Sequence, residues 1–205
     1  WNHAYFNADG FEMDFSLQPF QYKMIRSLDF YQSMKKKLTE FDQLTQIREK
    51  VTRIAENSVA TKVKTYHGDF IFSSIFDPKK LYQQKKYPVL LQHFVGQVVE
   101  TQNPCFDPDK ILFMDFNIPQ HNETRFLYVL PTDDQHALFE YTFFSKEVLD
   151  KKIYEDGIKN YLKSKGIHTY TIVEKEKGNI PMSCFPFEKA NTPSLLHIGT
   201  AGGWT

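Results

Sequence analysis

His136-Ala-Leu-Phe-Glu-Tyr-Thr-Phe-Phe144, HALFEYTFF, is the stretch whose reading decides the fold. Its residues favour extended chain, and the turn cluster Thr132-Asp133-Asp134 stands before it, so it reads as a strand. Alternation places Ala137, Phe139, Tyr141 and Phe143 on one face. His136, Leu138, Glu140, Thr142 and Phe144 fall on the other. Glu140 therefore lies mid-strand between Leu138 and Thr142 on one side and Phe144 beyond. Two readings follow. His136, Glu140 and Thr142 mark a solvent face, or Glu140 is a carboxyl desolvated by apolar neighbours, with a raised pKa suited to a general acid.

Working outward, three more strands precede it: VLLQHFVGQVVE (89–100), ILFMDFNI (111–118) and RFLYVLP (125–131). Asn103-Pro104, Asp107-Pro108 and the stretch Gln120 to Thr124 separate them as turns. Four antiparallel strands in a row predict a broad sheet, with Pro88 to Ser145 as the core. After it, KEVLDKKIYEDGIKNYLKSK (146–165) reads as a helix capped by Ser145 and stopped by Gly166. HTYTIVEKE (168–176) returns as a strand, and Gly178 is expected to turn it. Toward the amino terminus, FEMDFSL (11–17) alternates as a strand that Pro19 ends. Apolar residues at Phe20, Met24, Leu28, Tyr31, Met34, Leu38 and Phe41 predict an amphipathic helix from Phe20 to Phe41. VTRIAE (51–56), TKVKTYHG (61–68) and DFIFSSIFD (69–77) read as a small three-run meander ending at Asp77-Pro78. The pattern as a whole is α+β.

Composition narrows the function classes. Lys+Arg and Asp+Glu balance at 25 each, which leaves no basic excess for nucleic acid. The lysine clusters at 35–37, 79–80, 85–86 and 151–152 read as solvated surface rather than as a polyanion site. Cys105 and Cys184 build no disulfide framework, and the seven histidines show no metal-ligand spacing. Asn122-Glu123-Thr124 fits a glycosylation sequon, a pattern common by chance. No signal peptide is expected from the opening WNHAYF, and no apolar run approaches the roughly 18 residues that span a bilayer. A soluble or surface-bound globular unit is the expectation.

Three other features carry candidate chemistry. The closing SLLHIGTAGGWT (194–205) runs from a short strand into a turn of small residues, Gly199, Ala201, Gly202 and Gly203. It is either a plain exit from a sheet or a surface on which a flat ligand lies. Arg26 is either a ligand-facing guanidinium or a surface cation. Asp77 and Asp115 follow apolar strand residues and stand near a sheet rim, with a turn cap as the default role for Asp77. A G-x-G-x-x-G dinucleotide fingerprint occurs nowhere in the 205 residues.

LQPFQYKMIRSLDFY (17–31), the long run 90–120, RFLYVLPTDDQHALFEYTFFS (125–145), GNIPM (178–182) and HIGTAGGWT (197–205) together resemble flavin-dependent lycopene cyclases of the bacterial β-cyclase type. The ordered set covers nearly the whole chain. The resemblance implies an α/β flavoprotein with an FAD-binding Rossmann-like part and a broad, mostly antiparallel substrate-domain sheet. It divides the chain into 1–82, partial FAD-binding elements; 83–185, the substrate sheet with one helix; and 186–205, a return to the FAD domain. It implies closure of the ends of lycopene, or of another acyclic or monocyclic carotenoid, into β-ionone rings without net redox change. Reduced FAD is the implied cofactor, with NAD(P)H as its reductant. Glu140 matches the family's acidic strand motif and becomes the candidate catalytic acid. Many relatives carry a second acid at the next position, where this chain has Tyr141. Arg26, Gly199, Ala201, Gly202 and Gly203 match flavin-facing positions. Because the substrate is a bilayer-dissolved hydrocarbon, a cytoplasmic protein peripheral to the membrane is expected. The family pattern also makes the chain look like an interior fragment of a longer enzyme. The alternatives are another flavoprotein of the same fold, such as a hydroxylase or isoprenoid reductase, and a non-catalytic lipid- or carotenoid-binding module.

Overall fold

The computed structural model describes residues 1–204; Thr205, the last residue of the glycine stretch, lies outside the described residues. In chain order the elements are β1 (His3–Ala8), β2 (Phe11–Ser16), α1 (Ser27–Leu38), β3 (Val51–Ala55), β4 (Ser58–Thr61), β5 (Thr65–His67), β6 (Ile71–Ser73) and α2 (Pro78–Gln83). They continue with β7 (Val89–Thr101), β8 (Lys110–Asp115), β9 (Thr124–Pro131), β10 (His136–Ser145), α3 (Lys151–Ser164), β11 (Tyr170–Ser183) and β12 (Leu195–His197). The mixed α+β class is as the sequence predicts. The chain divides into two units, Trp1–Lys23 with Val89–Ser183, and Met24–Pro88 with Cys184–Thr205.

The first unit is a seven-stranded sheet in the order β11-β7-β10-β9-β8-β1-β2. The expected row of four strands is therefore corrected: β7 pairs with β10 and β11, not with β8. The link from β7 to β8 is carried past the β9–β10 turn, where the amides of Cys105 and Phe106 both donate to the carbonyl of Asp134. β8 instead pairs antiparallel with β9 and parallel with β1. β11 also departs from expectation, since it runs straight through Gly178 without turning. The glycine is needed for space: a Cβ there would stand 2.3 Å from Cζ of Phe94, whose ring covers the position.

Alternation in β10 sorts the sheet's two faces as predicted. Phe139, Tyr141 and Phe143 pack with Val95, Val99, Leu127 and Val129 against α3. From α3, Tyr154, Ile158, Tyr161 and Leu162 are buried, the i, i+4, i+7, i+8 stripe of an amphipathic helix. Ile158 and Leu162 are fully buried, each contributing about 1.5–3 kcal/mol relative to exposure. Asp150, not Ser145, caps this helix, its carboxylate accepting from the amide of Lys152 at 2.8 Å. Ser145 ends the strand, and its hydroxyl donates to the carbonyl of Glu147. The opposite face carries Ala4, Ile111, Leu130 and Leu138, with Trp1, Phe15, Leu17, Tyr22, Val98 and Phe113 packed on them.

The second unit holds a three-stranded antiparallel sheet, β3-β4-β5. The third run of the expected meander does not join it. β6 pairs in parallel with β12, Ile71 opposite Leu195, and the amide of Ile71 donates to the carbonyl of Ser194. The helix expected from Phe20 to Phe41 is shorter, Ser27–Leu38, and none of its residues is buried. Residues 20–23 stay outside the helix because the chain is tied to Trp1 in the first unit: the Tyr22 amide donates to the Trp1 carbonyl and the Trp1 nitrogen donates to the Tyr22 carbonyl. Asp77 caps α2 by accepting from the amide of Lys79 at 3.0 Å, with Pro78 opening the helix.

Candidate functional site

Strand register builds a single row of side chains across four strands of the first unit. Glu140 of β10 lies opposite Tyr128 of β9 and opposite Gly96 of β7. On the far side of β7, Gly96 lies opposite Glu176 of β11. The solvent-face reading of this side of β10 is overturned for its middle. Thr142 is fully buried and Leu138 is 8% exposed. Glu140 is half-buried, as are Phe144 and His136, whose ring bonds Asp133 and lies near Glu100.

The cover over Glu140 is aromatic and comes from distant parts of the chain. Trp1 and Tyr22 contact at 5.9 Å, Tyr22 meets Phe113 at 5.7 Å, and Phe113 meets Tyr128 at 5.8 Å. Phe126 continues the series, 5.1 Å from Tyr128 and 6.1 Å from Phe144. The indole N–H of Trp1 donates to the carbonyl of Pro131, which fixes the first residue on the sheet. Such a wall of π faces is apolar yet electron-rich.

Burial in this setting pushes the Glu140 carboxyl up to about 7. A 2.9 Å hydrogen bond from Thr142 works against the rise, while the charge of Glu176 adds to it. Glu176, exposed on the edge strand β11, is itself raised where its carboxyl is covered, and the hydrogen bond between the two carboxyls lowers it. Glu140 is thus the partner that keeps the proton and donates, and Glu176 is the acceptor. Tyr128 beside them is pushed up to about 12 by burial and by the charges of Tyr22 and Glu140, so its hydroxyl stays protonated. A carboxylic acid that keeps a substantial share of its protons near pH 7 on an aromatic face can act as a proton donor.

The other predicted residues belong to the second unit. Arg26 is exposed and precedes α1, its carbonyl accepting from the amide of Phe30. Gly199 to Gly202 form one 3-10 turn, closed when the amide of Trp204 donates to the carbonyl of Gly199. Gly203 has φ +75°, and a Cβ on Gly202 would stand 2.4 Å from the carbonyl oxygen of His197. Ala201 is buried. Gly199, at φ +59°, has open space where a Cβ would project. The turn thus leaves the Gly199 backbone uncovered, and a G-x-G-x-x-G pyrophosphate fingerprint is not recognisable in the sequence.

Two buried polar networks of the first unit stand apart from Glu140. Asp115, 1% exposed, accepts from Asn7 at 3.0 Å, from Tyr161 at 2.7 Å and from the amide of Asn117 at 2.9 Å. His93 is bonded to Ser145 at 2.7 Å and to Tyr154 at 2.6 Å, and burial lowers its pKa. The Ser145 proton is committed to Glu147, so His93 Nε2–H donates to Ser145 and Nδ1 accepts from Tyr154. This closed network locks α3 to the sheet and leaves Ser145 no nucleophilic role.

The profile of one protein family, described as lycopene cyclase protein, matches residues 1–205. This chain belongs to that family. No curated protein matches this chain. Among solved structures, a geranylgeranyl bacteriochlorophyll reductase-like protein from Thermoplasma acidophilum is similar at a TM-score of 0.62 and 11% identity, covering 99% of this chain and 55% of its own. A flavin-dependent brominase is similar at a TM-score of 0.54 and 12% identity, covering 98% of this chain and 55% of its own. This chain thus spans about half the length of both neighbours and shares their fold. Sequence reasoning singles out Glu140 but not Gly96, Tyr128 or Glu176, which strand register sets in the same row. Their part depends on strand register, which local pattern does not reveal.

Proposed function

We propose that this chain is part of a lycopene β-cyclase in which Glu140 protonates one end of the linear carotenoid. The observation that carries the reading is the half-buried Glu140 carboxyl opposite Tyr128 on the aromatic face of the sheet, where burial raises its pKa to about 7. The proton leaves Glu140 for a terminal alkene carbon, a neighbouring double bond closes the ring carbon–carbon bond, and a ring carbon then releases a proton. Atoms and electrons balance without an oxidant, so the reaction is an isomerisation. Water would trap the cation as an alcohol, which gives the aromatic cover of Trp1, Tyr22, Phe113 and Tyr128 its purpose: it excludes water and offers π faces to positive charge.

Gly199, Ala201, Gly202 and Gly203 would hold the ring of FAD, with Arg26 as a further contact. Reduced FAD, when bound, supplies negative charge beside a cationic intermediate, and NAD(P)H is the natural reductant. No helix among the described residues is long and apolar enough to cross a membrane. A C40 hydrocarbon resides in the bilayer, and the full protein is proposed to meet it at the membrane surface on the cytoplasmic side.

The test is lycopene conversion by the full-length protein with reduced FAD, comparing wild type with Glu140→Gln. Loss of ring closure is expected, and near-normal turnover would refute the role given to Glu140. The fold shared with a reductase-like protein favours one second reading, a flavin-dependent redox reaction on an isoprenoid. Stoichiometric consumption of NAD(P)H per product would establish that reading instead.

A further inference from the structure

Glu140 and Glu176 stand on strands that are not neighbours. β7 runs between them, so their backbones are two strand spacings apart, about 9.6 Å. Two glutamates can meet across that distance only if nothing rises from the strand between. The residue between them is Gly96, opposite both. A Cβ built on Gly96 would stand 2.6 Å from Cγ and 2.7 Å from Oε1 of Glu176. The Glu176 side chain therefore lies across the bare backbone of Gly96 toward Glu140.

We propose that Glu176 is a positioning residue for Glu140, the two carboxyls holding a single proton over Gly96, with the proton on Glu140 and the charge on Glu176. This rests on the cyclisation reading above and deepens it by naming a second carboxylate for the same step. The groups facing the pair are Thr142 on β10, Tyr128 on β9, Tyr22 after β2, and Glu174 on β11 next to Glu176. The nearby Lys175 does not neutralise the pair, since its ammonium reaches Glu155 of α3 on the sheet's other face.

The arrangement does two things for the reaction. The anionic neighbour keeps Glu140 loaded with its proton at neutral pH. When the O–H bond of Glu140 breaks and a C–H bond forms on the substrate, two carboxylates are left facing the carbocation. Ring closure then releases a proton from carbon, and its return to Glu140 restores the one-proton state with no other reactant consumed. Tyr141, at the position where relatives carry a second acid, points to the α3 side and cannot serve in this way.

The test is isotope-edited infrared titration of the glutamate carboxyls in the full-length protein without substrate, alongside the pH profile of kcat. In wild type one protonated carboxyl is expected to titrate near neutrality, well apart from the second; two carboxyls titrating together would overturn the proposal. In Glu176→Gln the Glu140 midpoint is expected to move to lower pH by about one pH unit, the mark of a coupled pair. The alkaline limb of the kcat profile should move with it. Gly96→Ala, which pushes Glu176 aside, should shift the midpoint in the same direction, and Glu176→Asp should restore part of the wild-type position. An unmoved midpoint in a folded Glu176→Gln or Gly96→Ala protein overturns the proposal. Where neither variant folds, the separation of the two wild-type steps decides. A shifted midpoint with normal ring closure by Glu140→Gln would keep the shared proton and sink the cyclisation reading. An unmoved midpoint with an inactive Glu140→Gln would do the reverse.

Discussion

Replacing Glu140 with Gln should make the protein more stable at alkaline pH, because the native fold holds this carboxyl against its preference to ionise. An ordinary glutamate carboxyl titrates near 4.5, and Glu140 is pushed up to about 7. Between those values the folded chain keeps a proton that the unfolded chain has released. The contribution is fully present below about pH 4.5 and is lost as pH rises through about 7. At about 1.36 kcal/mol per pH unit, the rise sets a ceiling of about 3.4 kcal/mol on the loss. Glu176 shares the proton and water reaches part of the row, so about 2 kcal/mol is the working expectation. Urea unfolding of both proteins across a pH series reads this directly. The stability of Glu140→Gln minus that of wild type should grow by about 2 kcal/mol from about pH 5 to about pH 8, roughly 1 M in urea midpoint. His93, whose pKa is lowered by burial, acts in the opposite sense, yet it is present in both proteins and cancels in the difference. Parallel stability curves at all pH values would refute the desolvation argument and, with it, the case for Glu140 as an acid held neutral.

Gly157→Ala should destabilise the fold by about 1–3 kcal/mol by thermal or urea unfolding, although alanine favours helix. Its Cβ would stand 2.1 Å from Cε1 of Tyr141, the ring against which α3 docks, and a Tyr141→Leu background should recover part of the loss. Tyr154→Phe removes the hydroxyl that donates to His93 and accepts from the amide of Leu149 at 3.2 Å. A cost of about 1–3 kcal/mol is expected from the buried partners left unpaired. The ring-proton NMR signal of His93 should titrate below its ordinary 6.5, and stability should fall as pH drops through that value. Gly202→Ala forces a side chain into the carbonyl of His197; the full-length protein should retain less flavin, read from its visible absorbance, while the first unit's unfolding is unchanged.

Period-two alternation in β10 was enough to assign Phe139, Tyr141 and Phe143 to one face and Glu140 to the other, because a strand's faces are a local property. Whether Glu140's face is wet is not local. It depends on Trp1 and Tyr22, which arrive from the start of the chain through the parallel pairing of β1 with β8, and no residue pattern near Glu140 announces them. The same limit explains the strand order. Turn residues mark where β7 and β8 end, but the choice of β10 and β11 as partners for β7 is made by long-range burial. Gly96 shows the point most sharply. Read along the chain, a glycine inside VLLQHFVGQVVE only weakens a strand, by entropy and by lost packing. Read across the sheet, it is the one position in the row where a side chain would keep Glu140 and Glu176 apart. An unfavourable local choice is retained where a contact between its two neighbours needs it, and that is a physical reason for treating a glycine between two facing carboxyls as part of a site.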